Sequence, residues 1–181
     1  MDQDGDLALL LGTEDILCLA VDGGNRKWFG TRNGVFVQSP SGQEAVHQFN
    51  TSNSPLLDNT ILDIEVNPLD GEVFIGTAQG LISYRGEATD ATNSFDPEVV
   101  VFPNPVRPEY SGPIAIKGLA RDALVKITDI RGRLVYETTA TGGQAIWNGS
   151  VYIGRRGSPG VDLVFAITLD TSFSTAGRAV G

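Results

Sequence analysis

The sequence contains little of the side-chain chemistry on which most enzymes depend. It has one Cys, Cys18, which excludes an internal disulfide, and one His, His47, which excludes sites built from several histidines. We expect Cys18, in the apolar run LCLAV, to be a buried and unreactive thiol. We expect His47, in the polar run QEAVHQF, to lie on the surface. No convergent set of catalytic groups can be assembled, so the sequence predicts a non-enzymatic protein without a cofactor or a metal site.

Positive charge is also scarce. Thirteen basic residues stand against 22 acidic ones, and the formal net charge is −9. A chain of this charge repels phosphate backbones, so we do not expect it to bind nucleic acid.

Long apolar runs are missing. No run reaches the roughly 20 residues that a membrane-spanning helix needs. The chain starts with the acidic stretch MDQDGD, without the basic and then apolar pattern of a signal peptide. These features predict either a cytoplasmic protein or a fragment that lacks its natural start.

Glycine and proline are plentiful and spread along the chain, with 22 Gly and 9 Pro in 181 residues. Many tight turns between short strands produce such a composition, and no stretch has helical periodicity. The sequence therefore predicts an all-β protein.

An internal repeat occupies the first half. Residues 16–37 align with residues 61–84. In this alignment Gly30 lies 46 residues before Gly76, and Gly34 lies 46 residues before Gly80. Each copy predicts three strands, which are apolar at nearly every position, so that both faces should be buried. A period of this size suits one blade of a β-propeller. The predicted strands are 16–21, 26–30 and 35–38 in the first copy, and 61–66, 72–76 and 81–84 in the second.

The Gly-Thr-x-x-Gly segment of each copy could instead be a phosphate-binding loop. Such a loop requires a helix after its last glycine, whose N-terminus faces the anion. Gly34 leads into Val-Phe-Val, which predicts a strand. We therefore expect Gly30 and Gly34 to serve close backbone approach and a turn.

The two copies resemble the two-component-regulator propeller repeat. The resemblance rests on the positions that the two copies share, with Phe74 in place of the usual Trp: Trp28, Gly30, Thr31 and Gly34, then Phe74, Gly76, Thr77 and Gly80. It implies about two blades. Because two blades cannot close a ring, we expect the chain to be the C-terminal piece of a larger protein, or to dimerise through its open edges.

The repeat stops at the polar stretch 86–98, which predicts a linker between a domain at 1–95 and a second domain at 96–181. Further strands are predicted up to 173–180, with a tight hairpin turn from Asp129 to Gly132. Six or seven short strands in about 80 residues favour an Ig-like β-sandwich. The fold class is thus a partial β-propeller followed by an Ig-like β-sandwich.

The second half resembles the C-terminal domain of type IX secretion proteins of the Bacteroidetes. The motif residues are Pro103, Asn104 and Pro105 after a strand, and Asp129 and Gly132 in a hairpin. With the propeller repeats, this combination is similar to cell-surface components of the type IX secretion and attachment machinery. The resemblance implies an exported protein at the outer membrane whose partners are the surface sortase, anionic lipopolysaccharide, or both.

Two other functions share parts of this pattern. A secreted type IX cargo protein would carry the second domain as a sorting signal, and the periplasmic sensor of a hybrid histidine kinase would carry the propeller repeats. Separately, four arginines form a candidate patch for an anionic ligand: Arg131, Arg133, Arg155 and Arg156.

Overall fold

The structure is a computed structural model that describes residues 11–107, 109–150 and 160–168, together with the backbone of 175–180. Within these residues the chain is all-β and contains no helix. It divides into two compact units: unit 1 is Met1–Asn67 with Glu72–Arg85, and unit 2 is Pro68–Gly71 with Gly86–Gly181. Residues 86–95, which the sequence assigned to the end of the first domain, thus lie in unit 2.

Unit 1 contains two antiparallel sheets in which each strand pairs with the next along the chain. Sheet A has the order β1-β2-β3-β4, and sheet B has the order β5-β6-β7. The strands of sheet A are Ile16–Val21, Lys27–Thr31, Val35–Gln38 and Ala45–Phe49, and those of sheet B are Ile61–Val66, Glu72–Thr77 and Gly80–Arg85.

All six strands predicted from the repeat are present, but β4 was not predicted. Its sequence is AVHQF, in which only His47 and Phe49 are half-buried while Ala45, Val46 and Gln48 are exposed. It forms the edge of sheet A and has only one covered face. It therefore contains fewer apolar residues than the strands that are covered on both faces.

The two copies of the repeat have equivalent backbone pairings. Trp28 lies opposite Ala20 in sheet A, and Phe74 lies opposite Glu65 in sheet B. Both first strands carry an irregularity at the same place, between Ile16 and Cys18 and between Ile61 and Asp63. Residues 46 positions apart on the second and third strands therefore occupy equivalent structural positions.

The core of unit 1 lies between the two sheets. Trp28 is fully buried there, and Phe49 and Tyr84 pack against its ring with centroid distances of 6.2 and 5.8 Å. The remaining buried members are aliphatic residues of both sheets and of the connection between them: Val35, Val37, Leu56, Ile61, Ile64, Val73 and Ile75.

A buried carboxylate holds Trp28 in place. Asp22 Oδ2 accepts hydrogen bonds from Trp28 Nε1 at 2.8 Å and from Arg26 Nε at 2.7 Å. Its other oxygen accepts the backbone N–H groups of Gly24 and Arg26, each at 3.0 Å. Because every partner of the carboxylate lies within the turn or the strand after it, the network fixes both the β1–β2 turn and the indole orientation.

Gly30 allows the two sheets to approach closely. A Cβ atom at this position would collide with Cys18 Sγ and would lie 2.7 Å from Ile61 Cγ2. Gly76, its equivalent in sheet B, has its nearest neighbour at 3.7 Å, which is ordinary van der Waals contact. The same motif glycine is thus sterically required in the first copy and sterically free in the second.

The expectation that both faces of the repeat strands are buried is wrong for β5 and β7, which expose Leu62 and Leu81, and it is also wrong for β1. Ile16, Leu19 and Val21 are 47%, 58% and 51% exposed. Their equivalents on β5 include Ile61 and Ile64, which are 0% and 3% exposed because sheet A covers them. Sheet A therefore has an uncovered face whose residues match those that sheet B buries.

Unit 2 contains two further antiparallel sheets. Sheet C has the order β11-β10-β13-β14, and sheet D has the order β12-β9-β8. The strands, in chain order, are β8 Val100–Phe102, β9 Ile114–Lys117, β10 Leu124–Asp129, β11 Leu134–Thr139, β12 Gln144–Trp147, β13 Asp162–Ile167 and β14 Thr175–Val180.

One hydrophobic cluster joins sheets C and D. Ile116 of sheet D and Ile127 of sheet C are fully buried in it, and Trp147 is 3% exposed. The Trp147 indole N–H donates to the Ser150 carbonyl at 2.9 Å, so its polar atom is satisfied. The β5–β6 turn also belongs to unit 2, since Asp90 N donates to Pro68 O and Gly86 N to Gly71 O, both at 3.0 Å.

We predict that Gly30→Ala destabilises unit 1 by about 1–3 kcal/mol, because the added methyl group must displace the stiff side chain of Ile61. The matched variant Gly76→Ala should change stability by no more than about 0.5 kcal/mol. The chain has two tryptophans, Trp28 in unit 1 and Trp147 in unit 2. Fluorine NMR of 5-fluorotryptophan-labelled protein in increasing urea therefore follows each unit separately, and equal costs for the two alanines would contradict this packing.

Candidate functional site

The four motif residues of unit 1 lie in the strands and turns of its sheets: Trp28, Gly30, Gly76 and Gly80. Trp28 and Gly30 lie at the contact between sheets A and B, as described above. Gly80 has a φ of 140° in the β6–β7 turn, and the equivalent Gly34 has a φ of 121° in the β2–β3 turn. Gly76 lies on β6, just before the β6–β7 turn.

The Thr-x-x-Gly segments form identical turns between strands. Thr31 Oγ1 donates to the Gly34 carbonyl at 3.0 Å, and Thr77 Oγ1 donates to the Gly80 carbonyl at the same distance. In each copy the residue after the second glycine continues the strand pairing. Val35 lies opposite Gly30, and Leu81 lies opposite Gly76. The interpretation as a turn is therefore confirmed for both segments, and neither leads into a helix that could hold a phosphate.

The Pro-Asn-Pro segment terminates β8, as the sequence predicts. β8 ends at Phe102, and Pro103, Asn104 and Pro105 form a bend directly after it. Asn104 and Pro105 are exposed and Pro103 is half-buried. The segment is thus accessible at the end of an edge strand of sheet D.

Asp129 organises the hairpin turn between β10 and β11. Its Oδ1 accepts the backbone N–H groups of Arg131 and Arg133 at 2.9 Å each, and Gly132 has a φ of 79°. The Arg133 guanidinium lies 3.1 Å from Asp129 Oδ2. The hydrogen bond from the Arg133 N–H, followed by that from Arg131 and the guanidinium charge, lowers the pKa of Asp129 below its ordinary value.

The candidate anionic-ligand patch is only partly within the described residues. Arg131 and Arg133 are exposed in the β10–β11 turn, whereas Arg155 and Arg156 lie outside the residues that the structure describes. Asp129 pairs with Arg133, and Asp162 lies opposite Asp129 in the β10–β13 ladder. Two carboxylates therefore accompany the two described arginines, and a role for this patch stays a prediction.

Asp162 faces another acidic residue, Asp129, across the β10–β13 ladder. It is half-buried at the start of β13. Burial, and secondarily the negative charge of Asp129, raise the pKa of Asp162. Like charges that face each other across a ladder are destabilising, so Asp162 in its ionised form weakens the pairing of β10 with β13.

Cys18 and His47 form no reactive site with their described neighbours. Cys18 is half-buried, and burial, followed by the charge of Asp63, raises the pKa of its thiol. His47 is half-buried rather than fully exposed, because its ring stacks on Phe49 at a centroid distance of 5.6 Å. Among the described residues, no group of three or more His, Cys, Asp or Glu side chains is placed to hold a metal ion.

A polar pocket of about 300 Å³, which was not predicted from the sequence, lies in unit 2. Its described walls come from three separated segments: the residue after Gly86, strand β11 with the connection that follows it, and strand β12 with the residue that follows it. The polar lining residues are Glu87, Tyr136, Thr138, Thr139, Thr141 and Asn148. Only the tertiary fold brings these segments together.

We predict that Asp162→Asn stabilises unit 2 at pH 7 and has no stabilising effect near pH 3. The raised pKa means that the folded state binds this proton more tightly than the unfolded state, whose value is about 3.9. The associated stability is present at low pH and is lost as the pH rises through the folded pKa. Asparagine cannot ionise, so the difference should appear only above that range.

The measurement is the thermal midpoint of the Trp147 signal at several pH values. Asp122→Asn is the matched control, since Asp122 is exposed, lies outside the β10–β13 ladder, and has a φ of 55° that asparagine also adopts. A gain from Asp162→Asn that is equally large at pH 3 and pH 7 would contradict the electrostatic explanation.

No helix in the described part of the chain is long and apolar enough to cross a membrane. No protein-family model and no curated protein matches the chain.

The chain is similar to the solved structure of PorZ from Porphyromonas gingivalis, which is described as an essential bacterial surface component of the type IX secretion system. The identity is 33% over 99% of this chain, with a TM-score of 0.61. The chain spans only about a quarter of PorZ, since it covers 24% of that protein. The extracellular domain of a one-component system protein from B. thetaiotaomicron is also found, at 12% identity and a TM-score of 0.35, covering 97% of this chain and 26% of that domain.

Proposed function

We propose that this chain is part of a non-enzymatic cell-surface component of the type IX protein secretion and attachment machinery. The observation that carries the proposal is the extent of the similarity to PorZ. It includes 99% of the chain at 33% identity, and therefore both units. A protein that shared only a sorting domain, or only a propeller, would match one unit and not the other.

Unit 1, in this proposal, supplies two blades of a larger β-propeller. The three repeat strands of sheet A and those of sheet B have equivalent pairing and turn geometry, which supports their assignment as repeated blades. Leu19 lies on the uncovered face of sheet A. Its equivalent in sheet B is Ile64, which is buried because sheet A covers it. A preceding blade of the same kind would cover Leu19 as sheet A covers Ile64.

The opposite face of sheet B differs from its equivalent in sheet A. Asp63 and Glu65 stand where Cys18 and Ala20 pack into the core of unit 1. Ser83 is exposed at the position of the fully buried Val37. This face is thus less apolar than the face that sheet A presents to sheet B.

Unit 2, in this proposal, is an Ig-like β-sandwich of the type IX C-terminal class. Its described strands form a four-stranded and a three-stranded antiparallel sheet around one core, the division found in Ig constant-type domains. Two features support this part of the proposal: the Pro-Asn-Pro bend follows β8, and the Asp129–Gly132 turn joins β10 to β11.

The mode of action that we propose is binding, without a catalytic step. Unit 2 would contact the surface sortase, anionic lipopolysaccharide, or both, while unit 1 serves as the scaffold that presents it. The protein would then reside at the cell surface, on the outer membrane. Type IX cargo and a sensor fragment remain the competing functions, and they differ in the fate of unit 2 and in the membrane that holds the chain.

We predict that unit 2 stays joined to unit 1 in the outer-membrane fraction of the source cells. Mass spectrometry of that fraction should recover peptides of 86–150 on the same polypeptide as peptides of 16–85. Deletion of the gene should leave other type IX substrates unattached to the surface, and the wild-type gene should restore attachment. A gene shortened before residue 96 is the control and should not restore it.

Two results would overturn this proposal. Removal of unit 2 from the mature protein, with attachment of other substrates unaffected by the deletion, would mean that the protein is cargo. Recovery of the chain in the inner membrane as part of a longer polypeptide would favour the sensor.

A further inference from the structure

The pocket of unit 2 lies at the open side between its two sheets. Strand β11 is an edge strand of sheet C, and β12 is an edge strand of sheet D. Tyr136 and Thr138 lie opposite the buried residues Ile127 and Val125, so their side chains are on the face of sheet C that meets the core. At this edge the core ends, and the two side chains border the pocket.

The polar groups of the pocket are available for a ligand. Within the described part of the chain, the side chains of Glu87, Tyr136, Thr138 and Thr141 make no hydrogen bond to another residue. Asn148 uses its Oδ1 to accept the Ser150 N–H at 3.0 Å, which leaves its amide NH₂ group as a donor. The pocket therefore offers several hydroxyls that both donate and accept, one carboxylate that accepts, and one amide that donates.

The shape and charge of the pocket restrict the ligand. Its volume of about 300 Å³ falls at the lower end of ordinary small-molecule sites. The Tyr136 ring and the Ile146 side chain supply apolar wall, and both are half-buried. Among the described residues no cationic side chain lines the pocket, and Glu87 contributes a carboxylate, so these residues disfavour an anionic group. The chain as a whole has a net charge of −9, which acts in the same direction.

We propose that this pocket binds a neutral sugar residue. A pyranose ring presents adjacent hydroxyls that both donate and accept, and it has an apolar C–H face that can lie on the Tyr136 ring. The threonine hydroxyls, Glu87 and Asn148 match such a set of hydroxyls without adding positive charge. This inference does not depend on the proposed role in secretion, and it is separate from the arginine patch that was considered for an anionic ligand.

The test is a titration of the ¹⁵N-labelled 181-residue chain with the methyl glycosides of glucose, galactose and mannose, followed by amide NMR shifts. Methyl glucuronide is the anionic comparison. We expect at least one neutral glycoside to give saturable shifts at β11 and β12, and to bind more tightly than the glucuronide. Deacylated neutral polysaccharide from the source cells is a second probe. Tighter binding of this polymer than of the glycoside would identify a cell-surface polysaccharide as the source of the sugar, and equal binding would identify a free saccharide.

Two variants identify the pocket as the binding site. Thr138→Val removes one hydroxyl with little change in shape, and Glu87→Gln removes the charge. Each should weaken binding about tenfold, the amount expected for one lost hydrogen bond in a buried contact. Glu137→Gln is the matched control, because Glu137 follows Tyr136 on β11, points to the opposite face and pairs with Lys126 at 3.1 Å. It should leave binding unchanged.

Absence of saturable shifts with all three neutral glycosides would overturn the inference. Tighter binding of methyl glucuronide, or binding that Thr138→Val and Glu87→Gln do not alter, would overturn it as well. Because this experiment uses the purified chain, its failure would leave the cellular test of the secretion role unaffected.

Discussion

The contact between β5 and the second strand of sheet A determines the structure of unit 1. Gly30 leaves the space that Ile61 fills, and the Trp28 indole lies in the same interface under the control of Asp22. A sheet of three or four short strands has two faces, and it is stable only when at least one of them is covered. In the first copy, Gly30 and Trp28 are therefore requirements of sheet-on-sheet contact.

The two copies of the repeat differ where this contact differs. Gly30 is tightly enclosed and Gly76 is not, although they occupy the same place in their sheets. Trp28 is fully buried, whereas Phe74 is half-buried on a face that carries Asp63 and Glu65. The apolar side chains of β1 are exposed at positions that β5 buries. The two outer faces of the pair of sheets therefore differ. The exposed apolar face of β1 is suited to packing against another blade.

Much of the backbone could be predicted from the sequence, because strands and turns leave local signals. The six repeat strands, the Thr-x-x-Gly turns and the Asp129–Gly132 hairpin follow from alternation, glycine placement and short-range hydrogen bonds. β4 was missed because an edge strand with one covered face has too few apolar residues to be recognised. The exposure of β1 was also missed, since a single sequence does not reveal what lies against a face.

The candidate sites were harder to predict, because they depend on which segments meet. Asp129 and Asp162 stand 33 positions apart in the sequence and become neighbours only through the β10–β13 pairing, which changes the charge beside Arg131 and Arg133. The polar pocket joins Glu87 to residues more than 45 positions later, and no motif links them. Pairing partners and pockets of this kind are properties of the tertiary fold, and hydrophobic patterning carries little information about them.

The most direct test of this account is the free-energy cost of Leu19→Ser in the product of the complete gene, compared with its cost in the 181-residue chain. Ile64→Ser serves as the reference, because Ile64 is 3% exposed and should cost about 2–5 kcal/mol in both proteins. If a preceding blade covers β1, Leu19→Ser should cost a similar amount in the complete product and less than about 0.5 kcal/mol in the shorter chain, where Leu19 is 58% exposed. A negligible cost in both proteins would contradict the account.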